Sequence, residues 1–99
     1  MKTKTVQTSI GPLTVTPLTQ DELKTLILMR GDRTGGPWAT LRRYMEILQR
    51  SIARHDPQFT MEKFEQIAAS DIFQDVDAVL TAVAEISSFD PKAFPIHEA

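Results

Sequence analysis

Hydrophobic and polar positions near the start of the chain alternate with a period close to two. Threonine and valine recur in residues 4 to 9 and again in residues 13 to 16, a pattern typical of strands with one half-exposed face. The sequence Ile-Gly-Pro at positions 10 to 12 is a turn signal between them. Residues 4–16 are therefore predicted to form a short β-hairpin.

After the hairpin the apolar spacing lengthens to three and four residues, which predicts helices. Thr19 can cap the first helix, and Glu22 is placed to return a hydrogen bond to the cap amide, as in a capping box. Leu23, Leu26 and Ile27 then follow at helical spacing. Gly31 is expected to end this helix.

The second helix is the most clearly predicted element of the chain. Pro37 suits its first position, because an N–H there would have no partner within the helix. Its apolar stripe consists of Trp38, Leu41, Met45, Leu48 and Ile52. The sequence His-Asp-Pro at positions 55 to 57 is expected to stop the helix.

Two further helices are predicted in the second half of the chain. Thr60 can cap a short third helix that turns Phe64 and Ile67 inward. Ser70 or Asp71 can open a fourth helix. One face of the fourth helix carries Ile72, Val76, Val79, Leu80, Val83 and Ile86.

These elements predict a mainly α fold in one domain, residues 1–99, with about four helices. It would comprise the hairpin at 4–16, a helical region at 20–90 and a flexible tail at 91–99, where two prolines forbid a regular helix. We expect the second and fourth helices to pack their apolar stripes together. The predicted core is Leu26, Leu41, Met45, Leu48, Ile52, Phe64, Ile67, Val76, Leu80 and Val83.

The bulk composition is that of a small cytoplasmic domain. The chain has 99 residues, of which 41% are hydrophobic, and no cysteine, so no disulfide or thiolate site is expected. The longest apolar run, Leu26 to Met29, is far shorter than a membrane span. No signal peptide is apparent at the N-terminus.

Charge is distributed unevenly along the chain. Residues 1–54 hold nine Lys/Arg and four Asp/Glu, a balance of +5, whereas residues 55–99 hold two and nine, a balance of −7. Opposite the apolar stripe of the second helix, helical spacing groups Arg43, Arg50 and Arg54 around Ile47. We interpret these four as a candidate partner-binding face with an exposed isoleucine. Asp71, Asp75 and Asp77 are interpreted as a solvated acidic face of the fourth helix, which also carries Glu85. Together with this acidic helix, the arginine face predicts weak head-to-tail oligomers.

The Gly-rich stretch from Gly31 to Gly36 invites comparison with a phosphate-binding loop. Such a loop follows a buried strand and ends in Gly-Lys-Ser/Thr. Here a predicted helix precedes the stretch, and Pro37 occupies the position of the lysine. We interpret residues 31–36 as a mobile connector between helices that binds no nucleotide.

Catalytic and metal-binding signatures are not recognised in the sequence. The two histidines, His55 and His97, are far apart and have no cysteine to complete a site. No serine lies in a Gly-x-Ser-x-Gly context, and so short a chain would hardly enclose a substrate pocket. We therefore expect no enzyme activity, no cofactor and no metal.

Two motifs resemble the small tail assembly chaperones of long-tailed bacteriophages. The opening motif of that family is matched by Val15, Leu18, Thr19, Glu22 and Leu23. A later motif is matched by Asp56, Pro57, Phe59, Thr60, Glu62 and Phe64, and a closing amphipathic helix by residues 80–86. The resemblance covers roughly residues 6 to 90. Residues 31–36 and the last six residues depart from the family pattern.

The resemblance implies a non-enzymatic chaperone that binds the tape measure protein and the tail tube protein while a phage tail is built. It also implies action in the host cytoplasm and absence from the mature virion. No nucleic acid or membrane partner is expected in that role. The alternative interpretation is a small helical DNA-binding regulator that uses the basic second helix, although the segment that follows this helix is acidic rather than basic.

Overall fold

In the computed structural model, which describes residues 2–89, an N-terminal hairpin is followed by four helices. The strands are β1 (Lys4–Thr8) and β2 (Gly11–Val15). The helices are α1 (Gln20–Met29), α2 (Gly36–Ala53), α3 (Met61–Phe64) and α4 (Ile72–Ser87). The predicted mainly α fold with an N-terminal hairpin is thereby confirmed. The predicted tail at 91–99 lies outside the described residues.

The hairpin is antiparallel, and Lys4 pairs with Val15 at its open end. Its turn differs from the prediction, because Ser9 and Ile10 form the turn while Gly11 and Pro12 already belong to β2. Gly11 has a φ of 108°, a value that is readily accessible only without a Cβ. The Thr8 hydroxyl donates to the Gly11 carbonyl over 2.7 Å and helps close the turn.

The capping signals act as predicted at the starts of α1 and α3. At α1, the Glu22 amide donates to Thr19 Oγ1 over 3.2 Å, and Glu22 Oε1 accepts from the Thr19 amide over 2.9 Å. At α3, the Lys63 amide donates to Thr60 Oγ1 over 3.3 Å. These bonds satisfy amide groups that have no partner within the helix. Asp71 stands at the N-cap of α4 but forms no side-chain cap bond.

The core lies where α2 and α4 pack together, with the hairpin against α4 and α1 and α3 along α2. Every predicted core residue is buried. Trp38 belongs to the apolar stripe of α2 but not to the predicted core, and it is 55% exposed. Its ring lies against Phe73 of α4, and about half of its surface reaches solvent.

Hydrogen bonds between segments that are far apart in the sequence hold the hairpin and the helices together. Thr16 and Ser51 are both buried and are joined by three hydrogen bonds. Ser51 Oγ accepts a bond from the Thr16 amide and donates one to the Thr16 carbonyl. In addition, Thr16 Oγ1 donates to the Ser51 carbonyl. The Leu18 amide donates to Ser87 Oγ over 3.0 Å. The segment between β2 and α1 is thus tied to both α2 and α4.

Candidate partner-binding surfaces

The basic face predicted on α2 is divided in the structure between internal contacts and a solvent-exposed rim. Ile47 is buried, with an exposure of 3%, so the prediction that it lies exposed among arginines is wrong. It contributes to a depression between α1 and α2, because α1 packs against this side of α2. Helical spacing placed Ile47 correctly on the arginine side but did not show that another helix covers that side.

Arg54 faces inward to the start of α1 instead of presenting its charge to a partner. It donates to Glu22 Oε2 over 2.9 Å, to Thr16 Oγ1 over 3.0 Å and to the Pro17 carbonyl over 2.7 Å. Burial pushes the pKa of Glu22 upward, but the bonds from Arg54 and the Thr19 amide and the charge of Arg54 outweigh burial. The net result is a pKa lowered from 4.5. Arg54 is therefore a structural residue of the hairpin–helix junction.

Arg43 holds the connector between α1 and α2. Its Nη2 donates to the Asp32 carbonyl over 3.2 Å and to the Thr34 carbonyl over 3.1 Å. The Thr34 amide in turn donates to Asp32 Oδ1 over 2.9 Å. Hydrogen bonds from Thr34 lower the pKa of Asp32, and the charge of Arg43 adds to this effect.

The connector needs glycine for its backbone path. Gly35 has a φ of 85°, and a Cβ at this position would lie 2.7 Å from the Ala39 Cβ. No side chain fits there without displacing the first turn of α2. The glycines of residues 31–36 therefore have a conformational role, which agrees with the interpretation of this stretch as a connector.

The remaining residue of the predicted face, Arg50, is exposed and makes no ion pair within residues 2–89. It lies on the rim of the depression between α1 and α2, which has a volume of about 300 Å³. The lining comprises Thr25, Leu28, Met29, Asp32, Arg43, Glu46, Ile47 and Arg50. Three of the four residues of the predicted face, Arg43, Ile47 and Arg50, thus share one site, and Arg54 does not.

Leu28 was not identified from the sequence as a surface feature, yet 85% of it is exposed. The sequence nevertheless contains a pattern that indicates an exposed apolar residue on α1. Residues 26 to 29 are four consecutive apolar residues, and at about 100° per residue they extend around most of a helix. One of them must therefore face away from the core, and in this fold Leu26 is the buried one.

A second depression, of about 330 Å³, opens beside the start of α2. Its lining is mostly apolar and comprises Trp38, Ala39, Leu41, Arg42, Met45, Glu65 and Ile72. The Trp38 ring lies against Phe73, with centroids 5.3 Å apart and planes inclined by 41°. An ion pair between Arg42 and Glu65 forms part of the rim. We refer to this site as the Trp38 depression.

The acidic face predicted on α4 is also partly internal. Asp75 is buried and accepts hydrogen bonds from the amide and the hydroxyl of Ser9, which fix the hairpin turn on α4. Its interpretation as a solvated residue is therefore wrong. Glu85 is paired with Lys4 of β1, whereas Asp77 remains exposed. The surface that was to complement the arginine face is smaller than the sequence suggested.

Among residues 2–89, no group of three or more His, Cys, Asp or Glu side chains is arranged to hold a metal ion. No helix in the same range has the length and apolar character needed to cross a membrane.

Comparisons of the chain with protein-family models, curated proteins and solved structures find no match.

Proposed function

We propose that this chain is a non-enzymatic chaperone of bacteriophage tail assembly that binds an apolar helical segment of the tape measure protein. In this role it also contacts tail tube subunits, acts in the host cytoplasm and leaves before the virion is complete. The observation that carries the proposal is the Trp38 depression, an open apolar site with a half-exposed tryptophan at its edge. The resemblance of the two capping and packing motifs to the chaperone family supplies the identity of the client.

The shape and lining of the Trp38 depression suit the side chains of an amphipathic helix. Such a helix presents apolar residues at intervals of three and four positions, and grooves on helical proteins bind it through these anchors. A volume of about 330 Å³ accepts one or two such anchors. Trp38 loses water-exposed area when they bind, and tryptophan is enriched among residues that dominate binding energy.

The arginine contacts bear on the alternative, a regulator that binds DNA through α2. Phosphate binding needs Lys or Arg side chains that are free to replace counterions. Arg43 and Arg54 are instead bound to backbone carbonyls and to Glu22, and Arg42 is paired with Glu65. Arg50 is the one arginine of α2 that is exposed without an ion pair within residues 2–89. A single free cation is a small phosphate-binding surface, so the regulator serves below as an outcome of the test.

The test is co-expression of the chain with overlapping fragments of the tape measure protein encoded near it, followed by co-purification. We expect one fragment with an amphipathic helix to bind, and Trp38→Ala to weaken its binding by about 30-fold, the effect of losing a side chain worth about 2 kcal/mol. Ile27→Ala is the matched control, because it removes another half-exposed apolar side chain that lies outside the Trp38 depression. It should leave binding unchanged.

Two further measurements, the salt dependence of binding and the folding of the variant, complete the experiment. Capture of an apolar helix should survive a rise in salt, whereas DNA binding weakens steeply. Circular dichroism of Trp38→Ala checks that loss of the Phe73 contact leaves the fold intact. The proposal fails if no tape measure fragment binds, or if a DNA duplex is retained at physiological salt in place of a helical fragment.

A further inference from the structure

The depression between α1 and α2 combines an exposed apolar side chain with an apolar floor. Leu28 stands at its edge and is the most exposed of the large apolar residues that the structure describes. Met29 and Ile47 line the depression beneath it. Leu28, Met29 and Ile47 thus form one contiguous apolar patch, and such patches mark interaction sites, whereas a single exposed leucine would not.

The charged residues on the rim of this depression have a self-complementary arrangement. Glu46 and Arg50 have opposite charges and lie one helical turn apart on α2. Glu46 is about half exposed, with only a 3.8 Å approach to Arg42, and Arg50 makes no ion pair within the described chain. In an antiparallel pair of α2 helices related by a two-fold axis between these positions, each glutamate would face the arginine of the other copy.

We infer that the α1–α2 depression is the contact surface of an isologous dimer of this chain. Leu28 of each copy enters the depression of the other, and Glu46 of one copy faces Arg50 of the second copy. A second copy is the occupant that the charges favour, because the same patch supplies both members of each ion pair. A head-to-tail contact with α4 has less support, since Asp75 and Glu85 are bound to Ser9 and Lys4.

The dimer is expected to be weak and dependent on concentration. Exposed ion pairs add little each, so most of the affinity must come from the two Leu28 side chains. Replacing Leu28 with a charged residue removes both contributions, which together correspond to about a 100-fold loss of association. This inference does not rest on the identity of the client, and either proposal can fail without the other.

Sedimentation equilibrium over a range of protein concentrations tests the apolar contact. Wild type should fit a monomer–dimer equilibrium with no larger species, and Leu28→Asp should remain monomeric. Ile27→Asp is the matched control, because Ile27 is the adjacent half-exposed apolar residue and does not line the depression. It should stay within about threefold of wild-type association, as expected for a surface change outside the contact.

Charge exchange tests the two-fold geometry. Glu46→Arg alone and Arg50→Glu alone each place like charges opposite one another, so each should weaken association by about tenfold. The double variant Glu46→Arg/Arg50→Glu restores opposite charges and should return to within about threefold of wild type. A mixture of the two single variants should form a heterodimer for the same reason.

Thermal melts of each variant confirm folding before its association is compared. The inference is overturned if wild type stays monomeric at high concentration, if it grows beyond a dimer, or if the double variant associates no better than the single ones. Recovery in the double variant and in the mixture supports it, because a contact with any other surface would not be restored by exchanging these two charges.

Discussion

At the scale of single residues, Arg54 connects three parts of the chain through one guanidinium group. Its nitrogens donate to Thr16, Pro17 and Glu22, which lie between the end of β2 and the first turn of α1. A planar group with five donors can make these bonds together, whereas a lysine ammonium could not reproduce their geometry. The side chain is 29% exposed, so solvent reduces but does not remove the strength of the ion pair with Glu22.

We predict that Arg54→Ala lowers the free energy of unfolding by about 1–3 kcal/mol, the range for lost hydrogen bonds to a charged group. Arg50→Ala is the matched control, one turn earlier on α2. It should change stability by less than about 0.5 kcal/mol. Urea denaturation at low protein concentration measures both, and equal effects of the two substitutions would show that Arg54 is not a structural residue.

The stabilising contribution of Glu22 is predicted to depend on pH. Its pKa in the folded chain lies below its ordinary value of 4.5. The ionised carboxylate therefore stabilises the fold above pH 4.5, and this stabilisation is lost as pH falls through the lowered pKa. The difference in unfolding free energy between wild type and Glu22→Gln should be constant near neutral pH and shrink as the pH falls below 4.5. A difference independent of pH over this range would contradict the assignment.

At the scale of elements, stability comes from the packing of α2 against α4, and the proposed partner contacts use side chains that this packing leaves exposed. Leu48 and Leu28 show the contrast, because Leu48 is fully buried on α2 while 85% of Leu28 is exposed on α1. Both are leucines in helices, so their intrinsic helix propensities do not differ. Only the surroundings of the two side chains separate a core residue from a contact residue.

Leu48→Ala is predicted to cost about 2–5 kcal/mol, the sum of lost burial and the cavity left behind. Leu28→Ala should cost less than about 0.5 kcal/mol in the monomer, because its side chain is already in water. Chemical denaturation of dilute samples compares them directly. A cost below about half a kcal/mol for Leu48→Ala would place the core elsewhere, since a surface change has that size.

At the scale of the whole molecule, the two depressions lie on different sides of α2. Trp38 and Ile47 are nine residues apart, which corresponds to two and a half helical turns. A dimer through the α1–α2 depression therefore leaves the Trp38 depression open on each copy. The proposed dimer would present two equivalent client sites.

A client with two copies of the bound helix should consequently bind wild type more tightly than a client with one copy. The gain from linking two sites reaches about 100-fold or more when the linker spans them. Leu28→Asp should abolish this gain and leave the affinity for the single helix unchanged, because the Trp38 depression is intact. Calorimetric titration with the single and the tandem helix measures the two affinities for wild type and for Leu28→Asp. An equal gain in affinity from the second helix in both proteins would rule out a bivalent dimer.

The sequence by itself determined the secondary-structure elements and the buried core residues, because both depend on short-range signals. The capping box at Thr19 and Glu22 and the cap at Thr60 mark helix starts within a few residues. Apolar spacing then selected the core positions from Leu26 to Val83, all of which are buried. The hairpin was likewise evident from its period of two, although its turn lies slightly earlier than predicted.

Only the tertiary structure decided which side chains meet solvent and which polar groups meet each other. Ile47 is buried because α1 covers the arginine side of α2, and periodicity along α2 carries no information about that neighbour. Asp75 binds Ser9 across 66 positions, and Arg54 binds Glu22 across 32 positions. Such pairs form only once packing has brought the segments together. The exposure of Leu28 and the half-exposure of Trp38, which lies against Phe73 of α4, were likewise decided by which neighbours the fold places beside them.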